Sequence, residues 1–463
     1  MRELPEGTIA TAAAIREGRI KAEAVAKAAL DAIARANPVL NAFTDITAER
    51  ALREAAAVDT AIAAGRDPGV LAGVPYAVKN LYDVEGLVTL AGSKINRGHP
   101  PAKTDAALIR RLKMAGAVLT GATAMDEYAY GFTTENTHYG PTRNPHDTER
   151  SAGGSSGGSG AALAARLVGF ALGSDTNGSI RVPAALDGIF GLKPTYGRLS
   201  RAGVYPFVDS LDHVGPFALD VADLAAIYDT IEGPDPLDPA SAIRAAEPAT
   251  PELDRGLGNL RIAIAGGHFA QGGQDAAHEA VAIAAQALGA EREIALPEAA
   301  RARAAAFLIT ASEGANLHLA DLKRRAQDFD PNSRDRLLAG ALIPASWYIQ
   351  AQRFRRWFRS RVREVFRETD ILLAPATPCP APLIGQMTMM LNGAEVPMRP
   401  HLGIFTQPIS FIGLPVVTVP VFQPGSLPLG VQIIAAPWRE TDALRVARVL
   451  EKAGIAVAHQ PGF

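Results

Sequence analysis

The sequence lacks features that several common classes of protein require. Its single cysteine, Cys379, excludes an internal disulfide framework, and nine scattered histidines without an HExxH motif or cysteine pairs argue against a metal site. No uncharged run reaches the ~18 residues of a membrane span, and no apolar segment follows the basic start of the chain. We therefore expect a soluble, cytoplasmic protein.

An excess of charge of either sign is also missing. The formal net charge is -2 over 463 residues, whereas nucleic acids and anionic membranes attract proteins with a basic surface. The densest basic stretch, RFRRWFRSRVR at 353–363, alternates with aromatic residues at helical spacing. This pattern is typical of an amphipathic helix whose arginines extend to solvent, so no nucleic-acid or membrane partner is predicted.

Apolar runs alternate with helical stretches, which predicts an α/β fold with a largely covered sheet. Ala-rich helices are expected near 8–36 and 47–64, separated by a turn at Asn37-Pro38. A helical region near 298–368 interrupts the strands and is placed over a pocket as a lid. Predicted strands lie at 74–80, 117–122, 168–173, 260–266, 371–375, 415–421 and 429–435.

These segments divide one predicted domain, residues 1–463. Its parts are N-terminal helices at about 8–64, a catalytic core at about 65–230, the helical substrate-side region at about 298–368 and closing strands at about 370–436. The Pro-rich and acidic stretch 232–254 is predicted to be a connection between lobes.

Two Gly/Ser-rich stretches stand out, GGSSGGSG at 153–160 and SDTNGS at 174–179. A flexible linker is the simplest interpretation of the first, but a linker does not lead directly into a helix, a strand and a second turn. Glycine lets backbone N–H groups converge on an anion because it has no Cβ. A phosphate loop is disfavoured, since no GxxxxGK[ST] motif is present.

Two kinds of serine nucleophile remain open. The run matches the GxSxG of a nucleophile elbow around Ser155, but an elbow needs a preceding strand and a later histidine, and neither has a clear candidate. A neutral lysine is the alternative base. Lys79 lies in the apolar run GVPYAVKNLYDV, in a chain with only nine lysines among 46 basic residues.

With these motifs the sequence resembles the amidase signature family of hydrolases. The resemblance is carried by GVPYAVKN around Lys79, by MDEYAYGFTTENTHYGPTRNP at 125–145, and above all by GGSSGGSGAALAARLVGFALGSDTNGSIRVPAALDGIFGLKPTYGRLS. It continues more weakly through DILLAPATP, FIGLPVVTVPV and LPLGVQII, and so covers essentially the whole chain. It implies a large mixed β-sheet covered on both faces by helices.

The resemblance also implies which residues form the catalytic site. Ser179 would be the acyl-accepting nucleophile, Ser155 a bridging serine after a cis peptide bond, and Lys79 the base, with no cofactor or metal. Asp175 and Arg181 would support the site by tying the two Gly-rich turns together. The oxyanion hole would consist of the backbone N–H groups of Thr176, Asn177, Gly178 and Ser179.

Asn177 departs from the family pattern, in which glycine is commonest at this position. The turn must therefore tolerate the side chain or direct it toward substrate. Asparagine accepts positive φ better than most residues, which keeps the turn feasible.

The variant DTNGSIR and the stretch 385–410 are most similar to the branch that hydrolyses small ureides of the carboxybiuret type. The alternatives are the glutamine amidase subunit of a tRNA-dependent amidotransferase, a general aliphatic or aryl amidase, and a catalytically silent scaffold. A carboxylated ureide needs a cationic partner, for which arginine has suitable geometry. The candidate substrate-binding residues are Met125, Tyr130 and Arg334.

Partners follow from the same resemblance. Besides a small-molecule amide substrate, both the ureide and the tRNA branches imply a small helical accessory subunit that wraps the amidase chain. A homodimer or a heterotetramer is compatible with that arrangement.

Overall fold

One mixed sheet of eleven strands forms the centre of the computed structural model, which describes residues 7–462. The α/β prediction is confirmed, and continuous burial along most of the central strands means that both faces of the sheet are covered. The single-domain prediction is untested, and residues 1–6 and 463, which it includes, lie outside the described part.

The helices are α1 Thr8–Arg16, α2 Ala22–Leu40, α3 Ala48–Ala63, α4 Ala107–Met114, α5 Gly157–Ala164, α6 Arg181–Leu186, α7 Val221–Ile231, α8 Asp275–Leu288, α9 Ala299–Arg325, α10 Pro331–Gly340, α11 Ala345–Glu368, α12 Met398–His401, α13 Gln407–Ser410 and α14 Glu440–Lys452.

The strands are β1 Phe43–Ile46, β2 Pro75–Lys79, β3 Val118–Thr123, β4 Glu135–Asn136, β5 Gly140–Pro141, β6 Arg143–Asn144, β7 Asp147–Ser151, β8 Phe170–Asp175, β9 Phe190–Lys193, β10 His213–Ala218, β11 Ile262–Gly266, β12 Glu293–Ala295, β13 Ile371–Pro375, β14 Thr388–Leu391, β15 Ala394–Pro397, β16 Val416–Val421 and β17 Leu429–Ala435.

The order of the sheet is β1-β3-β2-β8-β10-β9-β16-β17-β13-β11-β12. Strand β2 runs parallel to both β3 and β8, and β11 runs parallel to β13 and β12, whereas the remaining pairs are antiparallel. Parallel neighbours end at the same edge of a sheet. The register pairs Val78 of β2 with Leu172 of β8, so the ends of these two strands lie side by side.

Every predicted strand is present within one or two residues of its expected bounds, because each is an apolar run that the sheet buries. The strands β1, β9, β10 and β12 of the same sheet were not predicted. Strand β10 has the sequence HVGPFA, in which Gly215 and Pro216 are residues that normally disfavour a strand. Its antiparallel pairing with β8 and complete burial outweigh that local preference.

The N-terminal helices differ from the prediction. The stretch near 8–36 is two helices, α1 and α2, with Gly18 at φ 68° between them. The expected turn at Asn37-Pro38 is wrong, since α2 continues through Pro38 to Leu40 and ends at Asn41, which is left-handed. The Asn37 side chain bonds both the N–H and the carbonyl of Phe43, which holds the helix end against the start of β1.

The helical region at 298–368 consists of α9, α10 and α11, and both α10 and α11 pack against α9. In α11 the basic stretch is amphipathic as predicted, with most arginines outside the core. Arg355 is an exception, because it is buried and donates to the carbonyl oxygens of Phe411 and Ser210. No helix within residues 7–462 has the length and apolar content to span a bilayer. The cytoplasmic location stays a prediction.

Candidate active site

Lys79 is the last residue of β2, and its side chain is completely buried. Its Nζ donates to Ser155 Oγ at 2.7 Å and to Ser174 Oγ at 2.9 Å. Ser174 belongs to the neighbouring strand β8, whereas Ser155 lies in the Gly/Ser run before α5. The structure thus brings together two of the three predicted catalytic residues in direct contact.

Burial lowers the pKa of Lys79 to about 7, because an ammonium ion loses its hydration there. The carboxylates of Asp126, Asp175 and Asp212 act in the opposite direction but are outweighed. None of these carboxylates forms an ion pair with Lys79 within residues 7–462. A substantial fraction of Lys79 is therefore neutral near pH 7 and has a lone pair that can accept a proton.

The hydroxyls of the Gly/Ser run have different partners. Ser156 Oγ donates to the carbonyl of Ser174 and accepts its N–H, and Ser159 Oγ donates to the carbonyl of Leu172. These two serines fasten the run to β8, whereas Ser155 faces Lys79. The Gly154–Ser155 peptide bond is cis, as the resemblance implies.

The glycines of the run permit close approach. A Cβ on Gly154 would lie 2.2 Å from Asp126 Oδ2, a distance that atoms cannot adopt without displacement. Asp126 accepts the N–H groups of Thr133 and Thr134 and pairs with Arg399 at 3.2 Å. The abundance of glycine at 153–160 therefore reflects tight packing between this loop and the segment that follows β3, and the linker interpretation is wrong.

Ser179 lies in the turn that leads from β8 to α6, and it is buried. In the described part of the chain, neither its Oγ nor the backbone N–H groups of residues 176–179 have a hydrogen-bond partner. Gly178 holds the positive φ of this turn, 142°, and its Cβ position would overlap Thr406 Oγ1 at 2.2 Å. The turn therefore presents unpaired donors next to a serine hydroxyl, which is the composition of an oxyanion site.

Asn177 does not adopt the positive φ that its residue type tolerates, since Gly178 supplies it. The Asn177 carbonyl accepts Thr406 Oγ1 at 2.6 Å, and its Nδ2 donates to Thr310 Oγ1 of α9 at 2.9 Å. Its Oδ1 is buried without a partner among residues 7–462. The side chain is thus tolerated because α9 offers it an anchor.

Asp175 and Arg181 form a completely buried ion pair at 3.0 Å across the turn that contains Ser179. Burial alone would raise the pKa of Asp175, but the Arg181 guanidinium holds it well below its usual range. Arg181 also donates to the Thr406 carbonyl and to Gln432 Oε1. The pair therefore ties the turn that contains Ser179 to Thr406 and Gln432 and not to the first Gly-rich turn, which corrects the expected connection.

A narrow cavity adjoins Ser179. Tyr130 lines it, and so do Thr310 of α9 and Arg336 of α10. The guanidinium carbon of Arg336 lies 3.6 Å from the centroid of the Tyr130 ring, and Arg336 Nη1 donates to the Tyr130 carbonyl at 2.9 Å. No carboxylate within residues 7–462 pairs with Arg336, so this cation is available to an anion in the cavity.

Two candidate substrate residues are not at this cavity. Arg334 pairs with Asp335 at 2.8 Å and donates to Gln327, and it is not among the lining residues. The side chain of Met125 packs in the main hydrophobic core, and its carbonyl accepts Asn136 Nδ2. The arginine that the helical region supplies is therefore Arg336, two residues beyond the expected position.

Three residues of the site are not predicted from the sequence: Ser174, Thr310 and Arg336. Ser174 could have been identified from the sequence, because the parallel strands β2 and β8 end close together and Ser174, near the end of β8, is then a neighbour of Lys79. Thr310 and Arg336 could not have been identified in this way. Threonine and arginine are common on helices, and nothing in the sequence indicates which helix face lines the cavity.

Comparisons with known proteins agree with this geometry. A sequence model described as "Amidase" matches residues 24–444. The chain is 57% identical over 445 residues to the 1-carboxybiuret hydrolase subunit AtzE of Pseudomonas sp. (strain ADP). The alignment covers 96% of this chain and 97% of that protein. The chain is 36% identical over 482 residues to one of the subunits of glutamyl-tRNA(Gln) amidotransferase from Chromohalobacter salexigens, covering 98% and 97% respectively.

A solved structure is similar as well. It comes from a vestigial protein complex related to the evolutionary origins of an s-triazine catabolic enzyme. The two chains superpose with a TM-score of 0.97 at 55% sequence identity, over 98% of this chain and 100% of the other.

Proposed function

The chain belongs to the amidase signature family and is an amidase, and from this we propose that it hydrolyses a C–N bond of a small carboxylated ureide of the carboxybiuret type. The observation that carries the chemistry is the buried contact of 2.7 Å between Lys79 Nζ and Ser155 Oγ. Ser179 follows the neighbouring strand β8, in a turn whose N–H groups have no partner within residues 7–462. The similarity to a 1-carboxybiuret hydrolase supports the choice of substrate.

In the proposed reaction, Ser179 Oγ attacks the carbonyl carbon while its proton passes to Ser155, whose own proton passes to Lys79 Nζ. The N–H groups of residues 176–179 stabilise the alkoxide that forms. The C–N bond then breaks, and the departing nitrogen takes the proton back along the same path and leaves as ammonia. Water repeats these steps on the acyl-enzyme and releases the acid.

A screen of ammonia release tests this function directly. The substrates are biuret, carboxybiuret, allophanate, glutamine, asparagine and simple aliphatic and aryl amides at one enzyme concentration. We expect the highest kcat/KM for a carboxylated ureide. A highest value for glutamine would instead favour the glutamine amidase of an amidotransferase, and a highest value for aliphatic or aryl amides would favour a general amidase.

Arg336 is proposed to bind the substrate carboxylate, because it lines the cavity and has no acidic partner among residues 7–462. We expect Arg336→Ala to lower kcat/KM for carboxybiuret or allophanate about 10- to 100-fold, which corresponds to the loss of a hydrogen bond to a charged group worth about 1.5–3 kcal/mol. The uncharged ureide biuret should lose less, since it has no carboxylate.

Arg334→Ala is the matched control, since it removes the same side chain from the same helix outside the cavity. It should leave kcat/KM for each ureide within about twofold of the wild-type value. Equal losses for the two variants, or an equal loss for biuret and allophanate in Arg336→Ala, would contradict a carboxylate-binding function for Arg336.

A small helical accessory subunit is part of the same proposal. Large apolar side chains are exposed between residues 338 and 357, and Leu342 is 83% exposed. Such a concentration is typical of a surface that contacts another protein. The other exposed members are Leu338, Trp347, Ile349 and Trp357.

The oligomeric state tests this part. We expect the chain alone to aggregate or to have reduced activity, and coexpression with a helical partner to restore a defined complex in size-exclusion chromatography with light scattering. A stable and fully active homo-oligomer of this chain alone would remove the need for such a partner.

A further inference from the structure

The Asn177 side chain is held in place at the cavity. It is 8% exposed, and it lines the cavity together with Ser179. Its backbone carbonyl accepts a hydrogen bond from Thr406 Oγ1 at 2.6 Å, and its Nδ2 donates a hydrogen bond to Thr310 Oγ1 at 2.9 Å. Both ends of the residue are therefore anchored, one to the segment before α13 and one to α9.

One polar atom of this side chain, the buried Oδ1, has no hydrogen-bond partner in the described part of the chain. An amide oxygen that is buried without a donor destabilises the site unless a water molecule or a ligand supplies one. Asn177 lines the same cavity as Ser179 and belongs to the turn whose N–H groups are proposed to bind the carbonyl oxygen, so the groups that flank the scissile carbonyl are the candidate donors for Oδ1.

We propose that Asn177 Oδ1 accepts a hydrogen bond from the substrate N–H on the acyl side of the scissile carbonyl, and thereby selects ureides over ordinary carboxamides. This inference rests on the proposed ureide function and names the group that determines its specificity. In a ureide that position is an N–H, whereas in an aliphatic amide it is a CH₂ that leaves Oδ1 unpaired. A site that hydrogen-bonds a polar group of its substrate discriminates against an analogue that lacks this group.

Biuret and malonamide provide a matched pair of probes. Both have terminal carboxamides, and they differ in a central N–H that is replaced by CH₂. The measured quantity is the ratio of kcat/KM for biuret to that for malonamide in each variant. Dividing the wild-type ratio by the variant ratio cancels the intrinsic difference in reactivity between the two compounds.

We expect Asn177→Ala to lower this ratio at least about tenfold, mainly through a loss of activity toward biuret. Asn177→Gly should have the same effect, and it adds no side chain that a crowded turn must accommodate. Asn332→Ala, which removes an asparagine that does not line the cavity, should leave the ratio unchanged. Thermal melting of all three variants verifies that the fold is retained.

The outcomes separate the two proposals. If wild-type enzyme releases ammonia from glutamine or aliphatic amides but from no ureide, the ureide function is wrong and the specificity inference falls with it. If ureides are hydrolysed and the ratio is the same in wild type, Asn177→Ala and Asn177→Gly, the ureide function stands and the inference about Asn177 is overturned.

Discussion

Replacing Lys79 by alanine is expected to lower kcat by about 10³- to 10⁴-fold, which is the upper range of the contribution of a general base. Its Nζ contacts Ser155 Oγ at 2.7 Å, and burial lowers the pKa of Lys79 to about 7. Below that pH the ammonium ion has no lone pair and cannot accept a proton. The kcat/KM of the wild-type enzyme should therefore increase with pH through about 7 and then reach a plateau.

The matched control is the second buried lysine, Lys193 of β9. Burial lowers the pKa of Lys193 to about 7 as well, but its Nζ donates to the backbone carbonyls of Pro194 and Leu414 and not to a serine. Lys193→Met should leave kcat per folded molecule and the midpoint of the pH profile unchanged. Two results would show that Lys79 is not the general base. One is a Lys79→Ala variant that retains more than about a tenth of kcat, and the other is a shift of the pH midpoint in Lys193→Met.

The central part of the fold was predictable because burial acts on consecutive residues. Strands such as β2 and β17 are buried on both faces, so nearly every position is apolar or small and the run is visible in the sequence. The position of Lys79 was informative for the same reason, since a lysine in such a run must be desolvated. Strand β10 could not be found in this way, because Gly215 and Pro216 interrupt its pattern.

The residues that line the substrate side of the cavity were less predictable, because they depend on which face of each helix is directed toward the cavity. Successive helical residues are separated by about 100°, so Arg334 and Arg336 point about 200° apart around α10. The sequence indicates a basic helix but not which arginine faces the cavity. The partner of Asn177 is equally hidden, since Thr310 is 133 residues away and only tertiary packing brings it to the turn.

Replacing Ser179 by alanine is expected to have the largest effect, a loss of at least about 10⁴-fold in kcat, because the acyl-enzyme then has no oxygen on which to form. Ser155→Ala should be nearly as severe as Lys79→Ala, since the proton of Ser179 loses its path to the base. Ser156→Ala is the control within the same run, because its Oγ bonds the backbone of Ser174 and not Lys79.

Covalent trapping distinguishes this arrangement from the nucleophile elbow at Ser155. A serine-reactive phosphonofluoridate followed by peptide mapping should label Ser179, and Ser179→Ala should abolish the label while Ser155→Ala only slows its formation. An elbow reverses this order, and it also requires a histidine base. Label on Ser155 but not on Ser179, together with an active Lys79→Ala variant, would mean that the contact between Lys79 and Ser155 is structural and that the nucleophile has been misassigned.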